Sequence, residues 1–430
     1  MAILCPDRSL SSIGSGETRS LRLQPIFRPP PIRVCCWWWH IGLKPRASPG
    51  VSMGARNLAL VGSGWHPPLF REEARSLLGP IEVLHPRMVS YLQSGSELSR
   101  ISYASLVDEV IVSTSSLCID DGEITAREIA MHVGEWAQSF LPEGSFAVRA
   151  RNLGQGVCNL SRREIEAEIG ARISGESRPV DLDNPDFQIA VVLAGQDDSS
   201  GYWKDTQQNN LILWGLRDGK FTGTYNGISP TDRPFFKPVT LDPRLARLMV
   251  SLSFSGGPPS MIVDPFCGTG GIAIEASLLG LEVLASDLDS RMVEGTKSNL
   301  DWAMGSGSYK IERCPADSIH ETWGEVDGCS FVFDPPYGRN AWTSEDGLDV
   351  FLGALSSAGK MCPTGTICTM LPSSPDALEV PLSEEIQVMG MGWATMKEKI
   401  RETGWSVSMA YPVRVHKSLS RLVVLCHPAH

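Results

Sequence analysis

Apolar and polar positions along the chain switch between a period of about 3.6 and a period of about 2, and the switches mark out short helices and strands. Asn57–Val61 and Ile81–Leu84 read as strands flanking a helix over Pro68–Leu78, and Leu106–Val112 reads as a helix end and a return. A second group opens with a helix over Ile124–Phe140. Gly144–Arg151 then alternates like a half-buried strand, setting Arg149 and Arg151 on the face opposite Phe146 and Val148. Ser161-Arg162-Arg163-Glu164 predicts a helix start with a capping box, Ser161 capping and Glu164 reaching back. Gln188–Leu193 and Asn210–Trp214 complete this group as strands. Polar, proline-punctuated Tyr225–Pro238 reads as a semi-rigid connector, after which Asp242 caps a helix with Pro243 at its first position.

Beyond that cap the rhythm becomes regular. Strands at Met261–Asp264, Glu282–Asp287, Tyr309–Arg313, Ser330–Asp334 and Thr366–Leu371 alternate with helices at Ile272–Leu279, Ser290–Met304 and Leu348–Met361. A helix over Met396–Thr403 and strands at Ser406–Tyr411 and Arg421–Cys426, joined by Arg414–Ser420, close the chain. The fold class expected is α/β, a doubly wound sheet with one antiparallel strand, preceded by an α+β region.

Two strand ends carry chemistry. Ser330–Phe333 is an apolar run that stops at Asp334-Pro335-Pro336-Tyr337, since proline donates nothing to a ladder and restrains its predecessor. A carboxylate is thereby held at a strand's carboxyl end beside the Pro335 carbonyl, with the flat face of Tyr337 next to both, an arrangement suited to a planar amine. A plain turn after a strand is the competing reading. Upstream, the strand ending at Asp264 runs through Phe266, Gly268 and Gly270 into a helix, where glycines admit a close ligand and the helix start offers free N–H groups. No Lys-Ser/Thr pair follows to make a phosphate loop. The next strand ends in Asp287, near the spacing at which such folds bind ribose hydroxyls.

These residues resemble the class I S-adenosylmethionine-dependent methyltransferases. Asp264-x-Phe266-x-Gly268-x-Gly270 is similar to their first motif, Asp287 to their ribose acid, Asp317 in Cys314-Pro-Ala-Asp317 to the acid that binds the adenine amino group, and Asp334-Pro335-Pro336-Tyr337 to the catalytic motif of members that methylate exocyclic amines. Phe146–Arg151, the Arg-Arg-Glu-Ile helix start and Pro185–Val191 resemble the RNA-binding THUMP domain, with a ferredoxin-like companion before it. Arg233–Pro238 through Asp242–Arg247, and His416–Arg421 with Ser420 where the family has threonine, resemble the archaeal tRNA guanine-10 N2-methyltransferases. Composition sets off an N-terminal extension over 1–52 and a linker over 221–240, and the resemblance implies a ferredoxin-like domain over 53–118, THUMP over 119–220 and a Rossmann-like class I methyltransferase domain over 241–430. It further implies S-adenosyl-L-methionine as cofactor and N2 methylation of a tRNA guanosine, with one or two methyls added. Eukaryotic relatives need a small activating subunit, so such a partner stays open here. Phe235 or Phe236 is expected either to pack on the cofactor or to staple the following helix to the sheet. His416 is expected to be structural or to touch RNA backbone. Guanine-N2 methylation of ribosomal RNA, adenine-N6 methylation, and a non-catalytic RNA-binding scaffold remain as alternatives.

Composition bounds this picture. A chain of 430 residues, 42% hydrophobic and 20% charged, holds two or three globular domains. Eleven cysteines occur without Cys-x-x-Cys spacing, which supports neither a zinc site nor a disulfide framework and fits a reducing cytoplasm. Over residues 1–52, seven Arg/Lys stand against Asp7 and Glu17, a charge of +5, so a total of −11 leaves −16 for the remainder. That tail, with Cys35-Cys36 and Trp37–Trp39, has no periodicity. It reads as a disordered arm or as a stretch ahead of a native start at Met53, with a basic arm that stacks tryptophans on bases as a third reading. In so acidic a chain, RNA binding needs local cations, and Arg149, Arg151, Arg162 and Arg163, with Arg172 and Arg178, form the candidate cluster. An ordinary solvated face paired with Glu164, Glu166 and Glu168 is the alternative.

Overall fold

The computed structural model of the chain describes residues 56–429 apart from positions 94–95, 120–123, 158, 198–209, 222–224, 226, 239, 306–307, 337–344, 379–385 and 417–418. The expectations for residues 1–52 and for Tyr337 therefore lie outside the described residues.

The first sheet takes its strands from β1 (Arg56–Gly62), β2 (Glu82–His85), β3 (Met88–Gln93), β4 (Val107–Ile119), β5 (Phe146–Leu153), β6 (Phe187–Ala194) and β7 (Asn210–Arg217), in the order β2-β3-β1-β4-β7-β6-β5. It is continuous across the ferredoxin-like and THUMP-like regions. Strand β4 joins them, pairing with β1 along its first half and with β7 over most of its length. The stretch expected to be a helix end, Leu106–Val112, thus belongs largely to this strand. Val107 and Val110 pair with β1, and Ile111 and Val112 with both β1 and β7, so long-range pairing overrides the local pattern. Where β4 changes partners the register slips between Val112 and Ser115, and Ser113 adopts φ +54. The indole N–H of Trp136 donates to the Ser113 carbonyl at 2.7 Å, so the bulge's exposed acceptor is satisfied in the core.

Helix α1 (Pro67–Leu78) covers the first half of the sheet, and α2 (Ala126–Phe140) and α3 (Arg162–Ile173) cover the second. The near-continuous apolar run of β6, which lies between β7 and the edge strand β5, is explained by burial of both its faces. Ile189, Val191 and Leu193 face the α2 and α3 side, while Ala190, Val192 and Ala194 pack into the opposite cluster. The capping box expected at Ser161 is absent, since Ser161 makes no side-chain cap bond. One forms instead a helix earlier, where Thr125 and Glu128 cap α2 reciprocally. The acid that ties α3 down is Glu166, which accepts the Ala150 N–H of β5 at 2.7 Å.

The second half begins with α4 (Pro243–Leu252), capped by Asp242 as expected. It continues through β8 (Met261–Asp264), α5 (Gly271–Leu278), β9 (Glu282–Ser286), α6 (Ser290–Met304), β10 (Tyr309–Glu312), α7 (Ile319–Trp323), β11 (Cys329–Phe333), α8 (Glu345–Met361), β12 (Ile367–Ser373), the two-residue strands β13 (Gln387–Val388) and β14 (Met391–Gly392), α9 (Trp393–Glu402), β15 (Trp405–His416) and β16 (Leu419–Pro428). Strands β10, β9, β8, β11 and β12 are mutually parallel in that order. Strand β16 then pairs antiparallel to β12, with β15 outside it. This is the doubly wound sheet with a reversed strand that the sequence predicts, and its chain order reverses between β8 and β11, where such folds place ligands.

The two halves are joined by buried polar bonds. Glu73 of α1, fully buried, accepts from the Ser105 and Leu106 amides at 2.7 and 2.8 Å and from the Ser251 hydroxyl of α4 at 2.6 Å. The His66 Nε2 donates to the Pro412 carbonyl of β15 at 3.0 Å, while Nδ1 accepts the Leu69 amide at 3.2 Å. A carbonyl only accepts and an amide only donates, which fixes the neutral Nε2–H tautomer. Around these bonds one apolar cluster runs from Leu58, Leu69 and Phe70 through Leu248 and Leu252 to Ile262 and Met370.

Candidate active site

Strand β8 ends at Asp264, whose side chain is 1% exposed and accepts the Phe266 amide at 3.1 Å, starting the turn that follows. The two glycines of that turn serve different ends. Gly268 has φ +53, and a Cβ built there would meet only the Phe266 oxygen, at 3.9 Å, so the position opens onto the cleft. Gly270, at φ +79, is the residue before α5, and a Cβ there would lie 2.8 Å from Thr296 Cγ2 of α6. The turn is braced from behind. Asp287, just after β9, accepts the Gly268 and Asp289 amides at 3.0 and 2.9 Å, and the Thr296 hydroxyl donates to the Gly268 carbonyl at 2.9 Å.

Strand β11 delivers Asp334 to the same rim. Asp334 lines one cleft together with Asp264, Phe266, Cys267, Gly268, Thr269, Lys237 and Thr240. The Phe266 and Phe333 rings, 5.5 Å apart, pack the floor between the two strand ends. Burial pushes the Asp264 carboxyl well above the usual carboxylate range, and the nearby charges of Asp287 and Asp334 add to the shift. Asp334 itself is paired, Arg421 Nη1 donating to Oδ2 at 2.7 Å. The rim therefore holds a buried carboxyl biased toward its neutral form beside a carboxylate held by a guanidinium, and the latter is an acceptor fixed in place.

Of the residues singled out in the sequence, Asp264, Phe266, Gly268 and Asp334 meet at this cleft. Asp287 stands one hydrogen bond behind it and Gly270 is pressed on α6. Pro335 is buried and Pro336 exposed. Asp317 is exposed on a short 3-10 turn over Ala316–Ser318, against Gly353 of α8, and holds the Ser318 hydroxyl at 3.1 Å. The Phe235 ring packs on Gly295 of α6, which has no room for a Cβ, and not on the following helix α4 expected from sequence, while Phe236 is 44% exposed.

The segment read as a connector is bound to the helices of the second half. Asn299 of α6 accepts the Phe235 amide at 2.8 Å and donates to the carbonyls of Phe235 and Thr269 at 2.8 and 2.9 Å. Arg247 of α4 pairs with buried Glu275 of α5 at 2.9 Å under the Tyr225 ring. Lys237 and Thr240 arrive at the cleft through this anchoring, Thr240 sharing a hydroxyl contact of 3.0 Å with Thr269. Sequence reasoning missed both, because one lysine in a proline-flanked stretch carries no periodic or motif signal.

The arginine cluster divides. Arg149 donates to the Leu182 carbonyl at 2.5 Å, Arg151 pairs with Glu109 at 3.1 Å, and Arg178 donates to the Leu141 and Pro142 carbonyls at 3.1 and 3.0 Å. Arg162 and Arg163 stand exposed on the first turn of α3.

Comparison with known proteins matches residues 230–398 to an RMKL-like methyltransferase domain and residues 132–196 to a THUMP domain. The chain is 33% identical over 328 residues to the tRNA (guanine(10)-N2)-dimethyltransferase of Methanothermobacter thermautotrophicus, an alignment that covers 75% of this chain and 82% of the relative. It is 31% identical over 289 residues to the tRNA (guanine(10)-N2)-dimethyltransferase of Pyrococcus abyssi, covering 67% and 74%. It is also 27% identical over 243 residues to the tRNA (guanine(6)-N2)-methyltransferase of Thermus thermophilus, covering 55% and 64%.

Proposed function

The chain belongs to the family of tRNA guanine-N2-methyltransferases, and from that premise we propose that it methylates the N2 amine of a guanosine in tRNA, at position 10, with Asp334 as the amine's acceptor. The observation that carries the reading is the shared cleft, in which Gly268, in the turn after β8, and Asp334, just after the neighbouring β11, line one space.

The residues present fit S-adenosylmethionine. Bound there, it supplies an electrophilic methyl on a sulfonium cation. Gly268 leaves the space that a side chain would fill. Among the described residues lining the cleft Lys237 is the one cation, suited to the carboxylate of the amino-acid end. The family resemblance assigns the ribose hydroxyls to Asp287, which stands behind the glycine turn, and Leu288 beside it is 66% exposed, an apolar surface for a purine.

Guanine N2 is a poor nucleophile because its lone pair is delocalised into the ring, and in a stacked stem the base has to be extruded before reaction. Asp334 and the Pro335 carbonyl accept the amine's hydrogens, which localises the lone pair and aims it at the methyl, so that positioning and electrostatics supply the rate. Tyr337 follows as the stacking surface. Proton loss comes after transfer, when the amine has become acidic. The exposed Arg162 and Arg163 face supplies cations for tRNA phosphates. Among the described residues no helix is long and apolar enough to cross a membrane.

The test incubates the chain alone with unmodified tRNA transcripts and S-adenosylmethionine, followed by nucleoside analysis. N2-methylguanosine is expected, absent when guanosine 10 is replaced, and the ratio of mono- to dimethyl product reads the number of transfers. Turnover by the chain alone also establishes that no second subunit is needed. Asp334→Ala should abolish turnover and leave cofactor affinity within about 3-fold, as for a group acting on the amine. An active Asp334→Ala overturns the role of Asp334.

A further inference from the structure

All the parallel strands of the second sheet end at one rim, where Asp264, Asp287 and Asp334 stand. Strand β16 runs the other way, so its beginning, Ser420 and Arg421, reaches that rim. This beginning is anchored. Ser420 is fully buried, its hydroxyl donating to the Ser374 carbonyl at 2.6 Å and meeting the Ser373 hydroxyl at 2.9 Å. Arg421 comes next, opposite Pro372 on β12 and Val413 on β15, with a strand on either side. Its guanidinium reaches past β12 to Asp334 Oδ2 at 2.7 Å, and the two side chains are only 19% and 18% exposed.

We infer that Arg421 is the positioning residue for Asp334: a guanidinium fixed by the reversed strand aims the carboxylate at the substrate amine. Two prolines fix the backbone at Asp334 but leave its side-chain torsions free, and a lone pair on a weak nucleophile has to be directed closely. A charge-assisted bond to a strand-anchored donor removes that freedom. The same positive charge offsets the repulsion among the rim's carboxylates. Paired with it, Asp334 accepts hydrogen bonds rather than protons, and the proton released after transfer goes to solvent.

This inference rests on Asp334 acting as proposed above, and the experiment separates the two. Steady-state methylation of tRNA by the full chain is measured alongside cofactor affinity by calorimetry and thermal unfolding. Arg421→Met is expected to lower kcat by about 100-fold, the penalty typical of a misaimed group, with the tRNA KM and the cofactor Kd within about 3-fold and the unfolding midpoint unchanged. Arg421→Lys should recover part of the loss, and free guanidinium at non-denaturing concentration should raise the kcat of Arg421→Ala. Should Arg421→Met fail to fold, Arg421→Gln carries the comparison, and failure of both makes the residue structural and overturns the inference. Wild-type kcat in Arg421→Met beside an inactive Asp334→Ala also overturns it, as does a loss carried wholly by KM or by Kd. An active Asp334→Ala overturns the underlying reading instead.

Discussion

Gly268 and Gly270 sit two residues apart in one turn, both with positive φ, yet their missing side chains serve opposite purposes. At Gly268 the space is open, so alanine there meets no protein atom closely and bears mainly the left-handed backbone strain, about 1–2 kcal/mol. Its added methyl enters the cleft, and cofactor affinity should drop by about 10-fold or more, equivalent to about 1.4 kcal/mol. Alanine at Gly270 carries similar strain and also drives a carbon to 2.8 Å from Thr296, adding about 1–3 kcal/mol of overpacking. Urea unfolding and cofactor calorimetry on the two variants should separate them. Gly270→Ala is expected to be the less stable protein and Gly268→Ala the weaker binder relative to its stability. Equal effects on both quantities would contradict the division. The motif was legible in the sequence as a unit; which glycine faces the ligand and which faces α6 was not, because that depends on Thr296, whose place beside the turn is set by tertiary packing.

Whole elements were legible where a single rhythm sets them. The helix α6 carries its own start signal in Asp289, and its bounds are those expected from sequence, Ser290–Met304. Strand β3 went unread because Ser90, Tyr91 and Gln93 interrupt its apolar run, and it exists through its pairing with β1 and β2. The caps of α2 and α3 show the limit of motif reading. Both Thr125-x-x-Glu128 and Ser161-x-x-Glu164 have the pattern, but only the first closes. Thr125→Ala should therefore lower stability by about 1 kcal/mol, whereas Ser161→Ala should stay within about 0.5 kcal/mol. Chemical denaturation of both variants checks this, and an equal loss at Ser161 would show that its cap forms in solution. The arginines of β5 follow the same lesson. Strand alternation set Arg149 and Arg151 apart from Phe146 and Val148, but it carried no information about Leu182 or Glu109, the neighbours that occupy them.

At the scale of the molecule, the union of the two halves should be sensitive to acid. Burial and, to a smaller degree, the nearby charge of Arg71 depress the pKa of His66 to about 4 from an ordinary 6.5, with its backbone bonds partly opposing the shift. A histidine that is neutral when folded contributes its stability in full above the unfolded pKa and loses it as pH falls from about 6.5 to about 4, a total of about 3 kcal/mol. Glu73, across the same junction, has its pKa raised, chiefly by burial. Its contribution runs the other way, present below the unfolded pKa and lost as pH rises through the folded one. Unfolding free energy measured between pH 7 and 4 should fall for the wild type, and the fall should be shallower in His66→Gln. Parallel slopes in the two proteins would remove His66 as the cause.

Asn299 has a consequence at this same scale. Its carboxamide is bonded to the incoming chain at Phe235 and to the lining of the cleft at Thr269, so the two are tied through one side chain. If ligand binding orders the cleft, this clasp links that ordering to the segment at Phe235, and thermodynamic reciprocity requires any effect between two ligand sites to be equal in both directions. The factor by which a transcript changes cofactor affinity, read by calorimetry, should therefore move toward one in Asn299→Ala, and an unchanged factor would remove the clasp as the link.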